Sequence, residues 1–263
     1  MRLLAAGALN DLYSQTCIDN DISKLFSALT EKKHIRNWPA DKFLMVDSGA
    51  HSWNKTTITK VSSHMARKKL PDINKFLNDY IAFIESIKEK PFVFVELDCY
   101  GILSIDELDN IYKQVKEIKG DFQYIRVYHP VLDGGDLSVL KKWVDEGQDY
   151  IGLGNDSTYL FNKIFALTKD KVKYHGFAIT KDEMCIKYPF YSCDSTTVIS
   201  AQKFGSCYQY RLYQLLKKDI INNRKVEAVI DLKRRLVEGL IAFKKSEVFY
   251  TNVWKRRGVE WKD

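Results

Sequence analysis

Short apolar runs alternate with amphipathic stretches through most of the chain. The runs at residues 2–7, 43–47, 91–98, 123–128, 149–153, 173–178 and 190–194 are rich in Leu, Val, Ile, Phe and Tyr and are bounded by polar or turn residues. That is the signature of strands buried on both faces. Between them the apolar spacing changes to three and four. In DINKFLNDYIAFIESIKEK, residues 72–90, the positions Ile73, Phe76, Leu77, Tyr80, Ile81, Phe83 and Ile84 fall on one helical face. SIDELDNIYKQVKEIKG, residues 104–120, opens on Ser104 and Glu107 at capping-box spacing and stops at Gly120. Residues 136–147 and 157–170 repeat the helical pattern.

Strands that alternate with helices form parallel sheets, because parallel neighbours need a crossover. The predicted fold class is α/β, a (β/α)8 TIM-type barrel, for which about 250 residues is the usual length. The eighth strand is not evident. An open doubly wound sheet is the alternative, but no GxGxxG follows the first strand. The expected organisation is a barrel over residues 1–205 and a basic, mainly helical region over 206–263 packed on it.

Composition narrows the class. The 263 residues are 45% hydrophobic and 29% charged, as in a globular protein, and no apolar run approaches the ~20 residues of a membrane span. The start, MRLLAAGALNDLY, reads as a first strand rather than a signal peptide. Five scattered cysteines fit a reducing, cytoplasmic setting, and no CxxC or HExxH suggests a metal. Charge is segregated. Residues 203–263 hold 15 Lys and Arg against 7 Asp and Glu, a net +8, whereas the preceding 202 residues carry a net −1. The plainer reading is a solvated helical face. The sharper one is a phosphate-binding surface, with Lys233, Arg234, Arg235, Lys255, Arg256 and Arg257 as contacts. Tyr208, Tyr210, Tyr213, Phe243, Tyr250, Trp254 and Trp261 lie among them. Trp254 suits a stacking platform or wedge, and Trp261 an anchor for a C-terminal helix.

Candidate chemistry sits where apolar runs end. FLMVDSGAHSW places Asp47, PFVFVELDCYG places Asp98 and FYSCDSTT places Asp194 at the C-terminal ends of predicted strands. His129 in YHP and the glycines of YIGLGND fall at the same level. Each Asp alone could cap the next helix. Three on one rim, where (β/α) proteins bind ligands, point to a site.

These segments resemble, in order, motifs of the tRNA-guanine transglycosylases. VDSGAHSW is similar to their DSGG-F/Y-Q motif, VELDCYG to the base-reading strand, YIGLGND to the GLAVGE segment, and YHGFAIT with YPFYSCDSTT to the segments that end on the nucleophile. The resemblance spans about residues 40 to 200. The family's zinc site, three cysteines and a histidine after the nucleophile, has no counterpart, since only Cys207 follows Asp194 and no histidine does. YSCDSTT is closer to the phage and bacterial branch that inserts 7-deazaguanines into DNA.

The resemblance implies exchange of guanine in DNA for a 7-deazaguanine, through a covalent Asp–nucleotide intermediate and without a cofactor. It makes Asp194 the nucleophile, Asp47 the general acid/base and Asp98 the reader of the base's N–H groups. It surrounds the base with Ser48, Gly49, His51, His129, Gly152, Leu153, Gly154, His175 and Gly176. His51 and His175 would clamp the purine, although His175 could equally pack in the barrel wall. Asn155 stands where the family carries a glutamate, which suits a neutral 7-substituent such as a nitrile. The expected partners are DNA, with tRNA as the alternative polymer, and the free base; a homodimer is left open. Three rivals remain: a compact tRNA enzyme, a catalytically silent subunit that binds nucleic acid, and an unrelated metal-dependent hydrolase using Asp47, Asp98, His129 and His175.

Overall fold

The structure is a computed structural model. It describes residues 1–7, 11–50, 72–100, 103–168, 171–198 and 232–261, and of residues 232–235 the backbone only. Eight strands close into a barrel in sequence order, every pair parallel: β1 Arg2–Ala6, β2 Lys24–Ser27, β3 Leu44–Asp47, β4 Val93–Val95, β5 Gln123–Tyr128, β6 Tyr150–Leu153, β7 Lys173–Gly176 and β8 Ser192–Ser195. The barrel closes where Leu4 of β1 pairs with Asp194 of β8. A helix follows each strand: α1 Asp11–Asp19, α2 Lys32–Asn37, α3 Ile73–Glu85, α4 Ile105–Glu117, α5 Ser138–Asp145, α6 Phe161–Thr168, α7 Asp182–Lys187 and α8 Leu232–Arg256. This is the predicted TIM-type barrel.

Strand periodicity of two divides the core. Leu4, Ala6, Leu25, Met45, Val93, Val95, Ile125, Val127 and Tyr150 fill the barrel interior. The alternate positions, among them Leu3, Phe26, Val46, Phe94, Tyr128 and Tyr174, pack under the helices. The helices start where their caps predict, although α3 and α4 stop at Glu85 and Glu117, short of the expected 90 and 120. Asp72 accepts from Asn74 and Lys75 N–H at the start of α3, and Ser104 and Glu107 form the expected capping box on α4.

The strand that was not evident is β2. It has four residues and opens on a lysine, so neither length nor alternation announces it. Lys24 is nonetheless fully buried. Its ammonium donates to Ala5 O at 2.8 Å and lies 4.0 Å over the Tyr13 ring, and burial lowers its pKa to about 7.

The C-terminal helix is not an appendage. α8 runs antiparallel to β1, with Thr251 donating to Met1 O and Glu247 accepting from Leu3 N–H, and it fills the eighth helical position between α7 and α1. The boundary expected at residue 205 falls outside the described residues, as do Tyr208, Tyr210 and Tyr213. Trp254 is a correction: it is buried and donates its indole N–H to Cys185 O at 2.8 Å, so it anchors α8 and is not free to stack on a base. Trp261 packs edge-on against Tyr191 just before β8, the anchoring role expected of it. Among the described residues no helix is long and apolar enough to cross a membrane.

A buried charge network holds β4 and β5, the strands that lead into Asp98 and His129. Arg126 places Nη1 2.6 Å from Asp109 Oδ1 and Nε 3.4 Å from Glu96 Oε2, with its guanidinium 4.0 Å over the Trp143 ring. Glu96 accepts from Val127 N–H and the Tyr100 hydroxyl, and burial lifts its pKa to about 7 despite Arg126. Removing one partner of a buried pair costs about 3–5 kcal/mol. Arg126→Ala should therefore lower the unfolding free energy in urea by about that much at pH 8. The loss should shrink as pH falls below the Glu96 pKa, where a proton replaces the missing cation.

Candidate active site

The parallel closure brings the strand-end groups to one mouth. Asp47 ends β3, Asp98 follows β4, His129 follows β5 and Asp194 lies in β8. Together with Leu25, Val95, Val127, Gly154, Asn155, Asp156, Phe177 and Ala178 they line a single cavity of about 390 Å³ at the C-terminal rim. Pockets of this size take one small organic ligand.

The four carboxyl groups that line this cavity, Asp47, Asp98, Asp156 and Asp194, repel, and their surroundings separate their roles. Burial, and then the Asp194 and Asp98 charges, raise the Asp47 pKa to about 7, partly offset by the N–H of Gly49. Gly49 can donate because its φ is +86°, and a Cβ there would lie 2.5 Å from Leu29 Cβ. Asp194 accepts from Ala178 N–H at 2.8 Å through Oδ1. Ala178 reaches this position at φ +56°, a left-handed conformation that costs a non-glycine residue roughly 1 kcal/mol. Asp98 faces a cation: His129 Nε2 is 3.1 Å from its Oδ2, while Nδ1 is 3.0 Å from both oxygens of Asp156. Burial opposes the charge on His129, but its bonds to Asp156 and Asp98 outweigh burial and hold its pKa at about 10. At neutral pH the cavity therefore contains an imidazolium bonded to Asp98 and Asp156 and, beside it, the Asp47 carboxyl group poised to take or give a proton.

Of the expected base-binding residues, Asp98, His129 and Gly154 line the cavity with Asp47 and Asp194. His175 does not. It is fully buried behind Asp194, with Nε2 3.3 Å from Asp194 Oδ1, and so supports the carboxylate instead of stacking on a ligand. Phe177, two positions further and on the same face of the chain, provides the aromatic wall, edge-on to His175 with centroids 4.4 Å apart. Gly152 makes room for that ring, since a Cβ would lie 2.6 Å from Phe177 Cε2. Gly154 similarly makes room for the His129–Asp156 pair, its Cβ position being 2.5 Å from Asp156 Oδ1. Leu153 packs under the helices, and a Cβ on Gly176 would meet Phe190 and Cys193. Ser48 is buried and borders a separate, smaller cleft with Leu29, Lys32 and Phe76. His51 lies outside the described residues.

Asp156, Phe177 and Ala178 were not singled out from the sequence. Phe177 was within reach, because strand alternation from His175 points it into the barrel. Asp156 and the turn at Ala178 carry no sequence signal that separates them from ordinary loop residues.

The basic candidates are not one surface. Lys255, Arg256 and Arg257 end α8 beside Trp261, at the N-terminal end of the barrel, opposite the cavity. Lys255 pairs with Glu260 at 2.9 Å, and Arg257 lies over the Trp254 ring and donates to Ile186 O. Lys233, Arg234 and Arg235 begin α8, at the end that runs toward the rim; their side chains lie outside the described residues. Among the described residues no group of three or more His, Cys, Asp or Glu is placed to hold a metal ion.

No protein-family model matches the chain, and no curated protein is significantly similar to it.

A raised carboxyl pKa has a definite stability signature. Between the unfolded Asp value of about 4 and the folded value of about 7, the folded state binds more protons, so rising pH destabilises it. In urea titrations over that window, Asp47→Asn should lose less stability with rising pH than wild type. Parallel slopes would show that Asp47 titrates normally.

Proposed function

We propose that the chain is a transglycosylase that exchanges guanine in DNA for a 7-deazaguanine base by double displacement at the sugar C1′. The observation that carries this reading is the single cavity in which Asp194, Asp47 and Asp98 meet in three different electrostatic settings. Two carboxylates with divided roles are what substitution with retention at a glycosidic carbon requires.

Asp194 attacks C1′ as the bond to guanine N9 breaks, and the electron pair leaves on the base. Asp47, half protonated near neutral pH, supplies the proton the leaving base takes up and then accepts one from the incoming base. The second base displaces Asp194 from C1′ and restores the carboxylate, so no net hydrolysis occurs. Asp98, bonded to His129, accepts from the ring and amino N–H groups that distinguish guanine and its deaza analogues. Leu25, Val95, Val127 and Phe177 form apolar walls for a flat ring.

Two further features bear on the substrate. The cavity has room for one purine and not for a base pair, so a duplex target must be extruded from the stack. Asn155 is neutral and Asp156 is balanced by His129, which favours a 7-substituent without a positive charge, such as a nitrile.

The test is incubation of purified protein with guanine-labelled DNA or tRNA and a set of free 7-deazaguanines, followed by mass spectrometry of the nucleosides. Deazaguanine in DNA is the expected result. Incorporation into tRNA alone would assign the same chemistry to the other polymer, and no exchange in either would defeat the proposal. Asp194→Ala should abolish the covalent protein–nucleic acid adduct on denaturing gels. Asp47→Asn should lower kcat by about 10²–10⁴ while nucleic-acid binding persists.

A further inference from the structure

Inside the barrel, between apolar layers, runs a column of polar side chains. Tyr150 on β6 places its hydroxyl 2.5 Å from Ser192 Oγ on β8, and Ser192 Oγ is 2.7 Å from His175 Nδ1 on β7. His175 Nε2 then stands 3.3 Å from Asp194 Oδ1. Ser192 and His175 are neighbours in register, and all three supporting residues are shielded from solvent. Barrel interiors are ordinarily filled by branched aliphatic side chains. Polar groups there lose stability unless they are bonded to one another.

The chain has one consistent direction. With Tyr150 donating to Ser192 Oγ, each hydroxyl hydrogen of the column finds an acceptor within it. Ser192 then directs its own hydrogen to Nδ1, which places the imidazole hydrogen on Nε2, facing the carboxylate. Among the described residues Nε2 has no formed hydrogen bond, and Asp194 Oδ1 stands 3.3 Å from it. The Nε2–H is a buried donor aimed at the nucleophile, and such contacts often tighten only when substrate is engaged.

We propose that His175 is a positioning residue for Asp194, and that Ser192 and Tyr150 act through it by fixing its Nε2–H tautomer. This inference rests on the transglycosylase reading for its kinetic consequence. Ala178 N–H and His175 Nε2–H both address Oδ1, so Oδ2 is the oxygen that attacks C1′. In the covalent intermediate Oδ2 carries the sugar and Oδ1 is the ester carbonyl oxygen. When the incoming base takes C1′, the Oδ2–C1′ electron pair returns to the carboxylate. The two donors on Oδ1 stabilise the charge that develops there, as an oxyanion site does. His175 therefore orients Asp194 for attack, stabilises the charge it regains on breakdown, and touches neither base.

The deciding experiment compares His175→Phe, His175→Gln and Ser192→Ala with wild type in single-turnover exchange, alongside ¹⁵N spectra of the histidine rings. His175→Phe removes the donor. It should slow breakdown of the adduct, in which charge returns to Oδ1, by about 10² while the KM for the free base stays within about two-fold. His175→Gln can present an amide N–H at the Nε2 position and should recover at least ten-fold of that loss. Ser192→Ala should be slowed less and should release the tautomer preference. If His175→Phe reacts within three-fold of wild type, or folded His175→Gln is as slow as His175→Phe, the positioning role is wrong. The spectra separate the two proposals. A Nε2–H tautomer that is lost in Ser192→Ala supports the column even if wild type exchanges no base, in which case only the transglycosylase reading falls. A Nδ1–H tautomer in wild type overturns the column whatever the activity.

Discussion

Four carboxyl groups are held in one small cavity, and the surrounding structure is arranged around their repulsion. Desolvation makes each charge costly, and mutual repulsion adds to the cost. The chain answers each one differently. Asp98 receives a full cation, His129, which is itself secured from behind by Asp156. Asp194 receives the Ala178 N–H, and His175 Nε2 stands 3.3 Å from the same oxygen. Asp47 receives, among the described residues, the Gly49 N–H, and its pKa rises to about 7. One group is thus left to titrate near neutrality while its neighbours are held by fixed partners. That division is what acid/base chemistry beside a nucleophile needs.

The glycines and strained positions around the rim follow from the same requirement. Gly154 has no side chain because the His129–Asp156 pair occupies that space, and Gly152 has none because Phe177 does. Gly49 and Ala178 take left-handed backbone conformations, and each presents an N–H to a carboxylate. Strain of this kind persists only where the surroundings over-determine it. Behind the rim, Glu96 and Arg126 bind β4 to β5, and Tyr100 links that network to the cavity by donating to Glu96 while its ring sits 4.8 Å from His129. Scaffold and site therefore share side chains.

Much of the barrel was legible in the chain because burial on both faces makes parallel strands into apolar runs with abrupt polar ends. Those ends announced Asp47, Asp98, His129 and Asp194, and the cavity collects all four. What was not legible depends on direction and partnership. β2 hid behind Lys24, whose charge is satisfied by backbone carbonyls and an aromatic face that no local pattern reveals. His175 was expected against the ligand. Its strand position is right, but its ring is turned into the column with Ser192, and Phe177 takes the wall. Asp156 was invisible because its importance lies entirely in a bond to a residue 27 positions away.

The basic C-terminal quarter shows why summed charge is a poor guide to a binding face. Arg257 is consumed in docking α8, through a backbone carbonyl of α7 and the face of Trp254, and Lys255 is paired with Glu260. These charges sit at the end of the barrel away from the cavity. A polymer whose base enters the rim pocket has its phosphates near the rim as well, within the ~10 Å over which exposed charges act at moderate salt. A 25-residue helix spans about 37 Å, several times that distance. The helix thus places its first-turn basic positions at the rim end and its last-turn ones at the far end. Summed charge therefore does not locate a binding face; position relative to the rim does, and only the rim-end positions bear on the proposed activity.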